Sequence, residues 1–221
     1  METQTQEKAT VWLKPEQVDR MRSATVEASA PYLAARNDAL IATLYDSGLR
    51  VAECVALNEA DHVDLDDGVL ALPADLQKDY PTDRTPSYTE IELADETVRT
   101  LRTYLAGRWK DTAALWPSRQ SDRMTTESVR NVVTAAAVAA DVEPMTLHGR
   151  GDPEQVTPHT LRHSVAYRML NVEEGHSFYD VRNRLRHATI QTHRAGLRPH
   201  RPGLTRPVSP PILSYYALIV R

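Results

Sequence analysis

Pro158-His159-Thr160-Leu161-Arg162-His163 is the stretch from which the rest of this sequence becomes readable. Proline suits the first turn of a helix, where its missing N–H would have had no intrahelical acceptor. A helix is therefore expected from Pro158 to about Leu170. His159 and His163 then lie four residues apart on one helix face. That is the spacing of a zinc pair, but Thr160 stands where a metalloprotease helix carries its glutamate, so the metal reading has little weight.

Two other patterns flank this one. Upstream, Gly48-Leu49-Arg50-Val51-Ala52-Glu53 sets an arginine at a helix start with a carboxylate one turn on, after a glycine suited to ending the preceding helix. Downstream, Leu185-Arg186-His187 is a basic cluster that follows a helix. Between them lies Lys78, conspicuous because the other lysines are Lys8, Lys14 and Lys110. Each piece alone has an ordinary explanation. Arg50 and Glu53 make a surface ion pair, Lys78 a solvated loop residue, His187 a helix-end histidine.

Together they describe a chemistry. Guanidinium forks bind phosphate oxygens in pairs and stay charged, histidines donate hydrogen bonds and move protons near neutrality, and a lysine among cations can act as a general acid. Such a set suits the charge that builds on a phosphodiester during displacement. No carboxylate cluster accompanies it, so a metal is not required.

In this order the motifs resemble those of the tyrosine recombinases, the phage-integrase family, of archaeal type. Those catalytic domains carry G-L-R-x-x-E, a lysine in a β-hairpin, H-x-L-R-H, L-G-H and then a tyrosine. The resemblance covers residues 35–192. It implies a mostly α (α+β) catalytic fold, helical with a small antiparallel β-sheet. It also implies cleavage and rejoining of double-stranded DNA in integration or excision, with no cofactor and no metal. By the same resemblance Arg50 and Arg162 would clamp the scissile phosphate, His159 and His187 would hydrogen-bond it, and Lys78 would protonate the leaving oxygen. Glu53 and His163 would support them from behind. The family's tyrosine attacks to form a phosphotyrosine link.

Two departures stand out. Arg186 replaces the glycine before His187, which is tolerable if the turn needs no positive φ. More seriously, the nucleophile position falls near Gly196 or Leu197, and neither can attack a phosphate. The sequence changes character at that point. From His193 to Arg221 there is no Asp or Glu, and Pro199, Pro202, Pro207, Pro210 and Pro211 rule out a continuous helix. If His193–His200 is encoded CAC CGA GCG GGT CTA CGA CCA C, the second frame reads Thr-Glu-Arg-Val-Tyr-Asp-His and restores a tyrosine. A one-base frameshift is therefore the hypothesis for this tail, and coding DNA incompatible with tyrosine across Leu197 and Arg198 would end it. Tyr215 and Tyr216, in an apolar end segment, are the alternative nucleophiles, while Tyr179 is expected in the core.

The remaining elements follow from period and punctuation. Helices are expected over about residues 13–27 (started by Lys14-Pro15-Glu16), 34–45, 95–108, 126–140 and 177–185, with Gly149–Pro153 a loop. Strands are expected at Val69–Leu72 and Tyr88–Leu93, with Asp66-Asp67-Gly68 as a turn. The domain reading is a short N-terminal segment at 1–33, a catalytic domain at 34–192 and an atypical Pro/Arg-rich tail at 193–221. About thirty residues ahead of the pattern are too few for the N-terminal helical domain that closes recombinases around DNA.

Composition bounds the rest. The chain has 221 residues, 41% hydrophobic and 25% charged, with a net charge of −4 that argues only weakly against a nucleic-acid partner, because a local basic face decides binding. No apolar run suits a membrane span or secretory signal. Cys54 stands alone and is expected to be a buried apolar residue. A cytoplasmic DNA-binding protein results, with a homo-oligomer or an intact recombinase as partner on DNA. The non-enzymatic alternative is a regulatory module that occupies recombination sites.

Overall fold

The 17-residue helix α3 (Pro31–Ser47) is the axis on which the other elements are laid. The computed structural model describes residues 11–77, 87–147 and 149–186. Ahead of α3 come strand β1 (Val11–Trp12) and helices α1 (Pro15–Ser23) and α2 (Thr25–Ala28). After it come α4 (Val51–Ala56), α5 (Glu59–His62), β2 (Val63–Asp64), β3 (Val69–Leu72), β4 (Thr89–Glu92) and α6 (Asp95–Ala106). The chain continues through α7 (Thr126–Ala139), β5 (Met145–Thr146), β6 (Gly149–Arg150), α8 (Pro158–Asn171) and α9 (Phe178–Arg184).

Helix α3 is packed by α6, α8, α1 and α2, so its apolar residues reach more than one face. Leu40, Ile41 and Leu44 are fully buried, each contributing about 1.5–3 kcal/mol on transfer from water. Gly48 ends the helix at φ +64°, where its N–H reaches back to the Leu44 carbonyl, as the sequence led us to expect. Gly68, at φ +68°, makes the turn that sends β3 back beside β2.

Strands β2, β3 and β4 form an antiparallel sheet with Val69 opposite Glu92 and Leu72 opposite Thr89. Leu70, Leu72 and Ile91 turn into the core while Glu90 and Glu92 face outward, which is the alternation read from the sequence. A second sheet, β1–β5–β6, was not foreseen, and it replaces part of the loop expected at residues 149–153. Strands of two residues carry no alternation from which to infer them.

The helix expected over residues 13–27 is shorter and broken. Residues 11 and 12 are strand, Lys14 precedes the helix, and Ala24 separates α1 from α2. Leu13, Val18 and Met21 are fully buried in the same core as Leu40 and Leu161, and the Leu13 N–H donates to Ser164 Oγ at 2.7 Å. Among the described residues no helix is long and apolar enough to cross a membrane.

Candidate functional site

Three chain segments meet at one place: the start of α4, helix α8, and the turn that leaves α9. Arg50 stands immediately before α4, and Glu53 reaches back to it. The Arg50 N–H donates to Glu53 Oε2 at 2.7 Å, and Arg50 Nη1 donates to Oε1 at 2.8 Å. The carboxylate thereby caps the first turn of α4 and fixes the arginine that precedes it. Glu53 is 1% exposed, whereas the Arg50 side chain keeps 25% of its surface in solvent.

Helix α8 starts on a reciprocal cap. Thr157 Oγ1 accepts the Thr160 N–H, and Thr160 Oγ1 accepts the Thr157 N–H at 3.1 Å, with Pro158 in the first turn. One turn further in, Arg162 is buried at 4% exposure and its two Nη atoms donate to the carbonyls of Gly48 and Leu185. Arg50 Nη2 donates to the next carbonyl along, that of Arg186, at 3.4 Å. The two arginines, far apart in sequence, thus converge on consecutive peptide groups just past α9.

The histidines of α8 form a relay. His163 Nδ1 lies 3.2 Å from the Val11 carbonyl in β1, and its Nε2 lies 2.8 Å from His159 Nε2. A carbonyl only accepts, so the tautomer that satisfies both contacts puts the proton of His163 on Nδ1 and has His159 Nε2–H donate to His163. His163 is buried and His159 is exposed at the mouth. Among the described residues no group of three His, Cys, Asp or Glu side chains is placed to hold a metal.

Arg186 is the correction of greatest consequence. The sequence made its tolerance conditional on a turn without positive φ, yet the backbone there is left-handed, at φ +49°. For a residue with a Cβ that conformation costs about 1–2 kcal/mol. The side chain is nevertheless buried, with Nη2 on Glu53 Oε2 at 2.7 Å and Nη1 on the Arg184 carbonyl at 3.2 Å. Burial alone would raise the Glu53 carboxyl, but the Arg186 guanidinium and the Arg50 N–H and guanidinium outweigh it. Together they hold the group below its ordinary value.

The structure therefore brings Arg50, Glu53 and Arg162 together at the exit of α9, and sets His159 against His163 on the helix that carries Arg162. Lys78, His187, Tyr215 and Tyr216 lie outside the described residues. Sequence reasoning missed the buried Arg186–Glu53 pair and the hold of β1 on His163. The signal for the first was the arginine standing where the motif has glycine. Nothing local signals the second. Tyr179, expected in the core, is 59% exposed, because Val181 and Leu185 take the inward face of α9 and Arg182 stacks on the tyrosine instead. Cys54 is buried beside Trp116, and burial pushes its thiol pKa up, which fits the apolar role expected of it.

Comparison with known proteins gives this constellation its class. The chain belongs to the phage integrase family, whose pattern matches residues 11–195 and so includes the segment around β1 and α1. It is 29% identical over 182 residues to tyrosine recombinase XerC of Neisseria meningitidis, covering 81% of this chain and 52% of that protein. It is 31% identical over 160 residues to tyrosine recombinase XerA of Thermococcus kodakarensis, covering 71% and 49% respectively. The chain thus spans about half the length of the curated relatives it matches. The archaeal type is not singled out by matches spread in this way.

Among solved structures, the XerA recombinase crystal structure aligns with a TM-score of 0.62 at 24% identity, over 81% of this chain and 57% of that one. The Tn1549 transposon integrase in complex with transposon right end DNA aligns at 0.60 and 17% identity, over 81% and 59%. The fold is that of a tyrosine-recombinase catalytic domain, mostly helical with small antiparallel sheets.

Proposed function

We propose that this chain binds double-stranded DNA by seating a backbone phosphate between Arg50 and Arg162, as a site-specific tyrosine recombinase does, and that it holds the phosphate without cutting it. The observation that carries this reading is the convergence of the two guanidiniums on consecutive carbonyls beside α9. Guanidinium forks held in this way are set for the oxygens of one phosphate, whose bidentate capture is the strongest hydrogen-bonding mode open to them. His159, whose Nε2–H is given to His163, would donate to the phosphate through Nδ1 when its ring is protonated. The Tn1549 integrase, which shares the fold, was solved on DNA.

Strand cleavage would need more. Lys78 and His187 are the proposed proton donor and additional phosphate ligand, and neither they nor the arginines supply a nucleophile. By the spacing of the motifs the nucleophile position would fall near Gly196 or Leu197, which supports binding at a recombination site, in the cytoplasm and without a cofactor, alongside a second copy or an intact recombinase. The test is covalent trapping on a nicked phosphorothiolate duplex, with peptide mapping of any adduct. A gel shift with no covalent adduct is expected. An adduct at Tyr215 or Tyr216 would show an active enzyme that has recruited its tail, and absence of any shift would remove the DNA reading altogether.

A further inference from the structure

We propose that Arg186 is a positioning residue that holds Glu53 in place of Arg50, freeing Arg50 to leave the carboxylate for an incoming phosphate. The proposal rests on Arg50 being a phosphate ligand and adds how a buried ion pair can release it. Three distances define the problem. Glu53 Oε1 accepts Arg50 Nη1 at 2.8 Å, while Oε2 accepts both the Arg50 N–H and Arg186 Nη2 at 2.7 Å. Glu53 is almost wholly buried, at 1% exposure. If Arg50 were its partner alone, moving the guanidinium onto a phosphate would strand a carboxylate in the interior, which is costly.

With Arg186 present the carboxylate keeps a cation and a backbone donor throughout. The exposures divide the labour. The Arg186 side chain is 5% exposed and cannot reach a large ligand, whereas Arg50, at 25%, faces solvent. The Arg186 carbonyl also receives Arg50 Nη2, so main chain and side chain of one residue hold both members of the pair. A glycine here would supply the carbonyl without the guanidinium. That difference gives a physical reason for an arginine to occupy a left-handed position at φ +49° that glycine would take without strain.

A double-mutant cycle on the full chain tests this, read by fluorescence anisotropy with a labelled duplex. Arg186→Gly is expected to weaken binding about tenfold, the effect of one charge-assisted contact. In an Arg50→Ala background the same change is expected to cost nothing further, because Arg186 acts through Arg50. Equal losses in both backgrounds would mean that Arg186 contributes only charge or packing, and no loss in either would end the proposal. Arg186→Lys, which keeps a cation on Glu53, should retain affinity to within about threefold. Arg186→Gln replaces the glycine variant if the latter does not fold. Inorganic phosphate provides a second readout without DNA. If the wild-type chain fails to bind duplex, the DNA reading falls. A rise in unfolding temperature with phosphate that Arg186→Gly abolishes would still support the proposal, and no rise in the wild type would overturn it.

Discussion

Gly48 sits where a side chain would collide with the opposite wall of the site. A Cβ there would lie 2.6 Å from Leu185 Cδ2, and the backbone is left-handed at φ +64°. Its carbonyl is also one of the two that hold Arg162. Gly48→Ala is expected to lose about 1–2 kcal/mol to the conformation alone, and more to overpacking. A urea midpoint equal to wild type would mean that neither the left-handed backbone nor the Leu185 side chain resists the added methyl. Glu53 gives the other prediction at this scale. Its folded-state pKa is depressed below the ordinary 4.5, so its contribution to stability is present above that value and is lost as pH falls through the depressed one. Stability of the wild type should therefore fall on acidification below about pH 4.5 more steeply than that of Glu53→Gln, measured by urea unfolding across pH. Parallel curves would mean that Arg50 and Arg186 do not favour the ionised form.

At the scale of elements, β1 is the piece the sequence could not supply. It pairs Val11 with Thr146 and Trp12 with Met145, and the Val11 carbonyl receives the ring of His163. The following residue, Leu13, is fully buried, and its N–H is held by Ser164 on the same helix as His159 and Arg162. Leu13→Ala should cost about 2–5 kcal/mol in urea unfolding, as deletion of a buried leucine side chain does. A cost under about 1 kcal/mol would show that Leu13, and the segment it anchors after β1, is not part of the core.

What could be read in advance follows the same division. Residues 88–93 were legible because one face of that strand is buried and the alternation survives in the sequence, and Val69–Leu72 because an apolar run follows the Asp66-Asp67-Gly68 turn. Helix α8 was legible because Pro158 marks its first turn, and the Thr157 side-chain cap that completes that start came only with the structure. The candidate site residues Arg50, Glu53, Arg162, His159 and His163 could be singled out by the order of their motifs. Their mutual contacts could not, since the Arg186–Glu53 pair and the β1–His163 link join segments whose approach only the tertiary fold decides.

At the scale of the whole molecule, the net charge of −4 is compatible with a local DNA-binding site because Arg50, Arg162 and Arg186 are gathered at one place around a single carboxylate, Glu53. The gathering ties the C-terminal end of α3, the start of α4, helix α8 and the exit of α9 into one unit, so a ligand seated there would bear on all of them. The most direct test is duplex binding across a salt series for the wild type, Arg50→Ala and Arg162→Lys. Arg50→Ala should weaken binding and lower the slope of log affinity against log salt by about 0.9, the loss of one phosphate contact. Arg162→Lys should keep the slope and lose about tenfold in affinity, because the charge remains while the fork is gone. Wild-type affinity and slope in both variants would contradict the claim that these two arginines form the phosphate site.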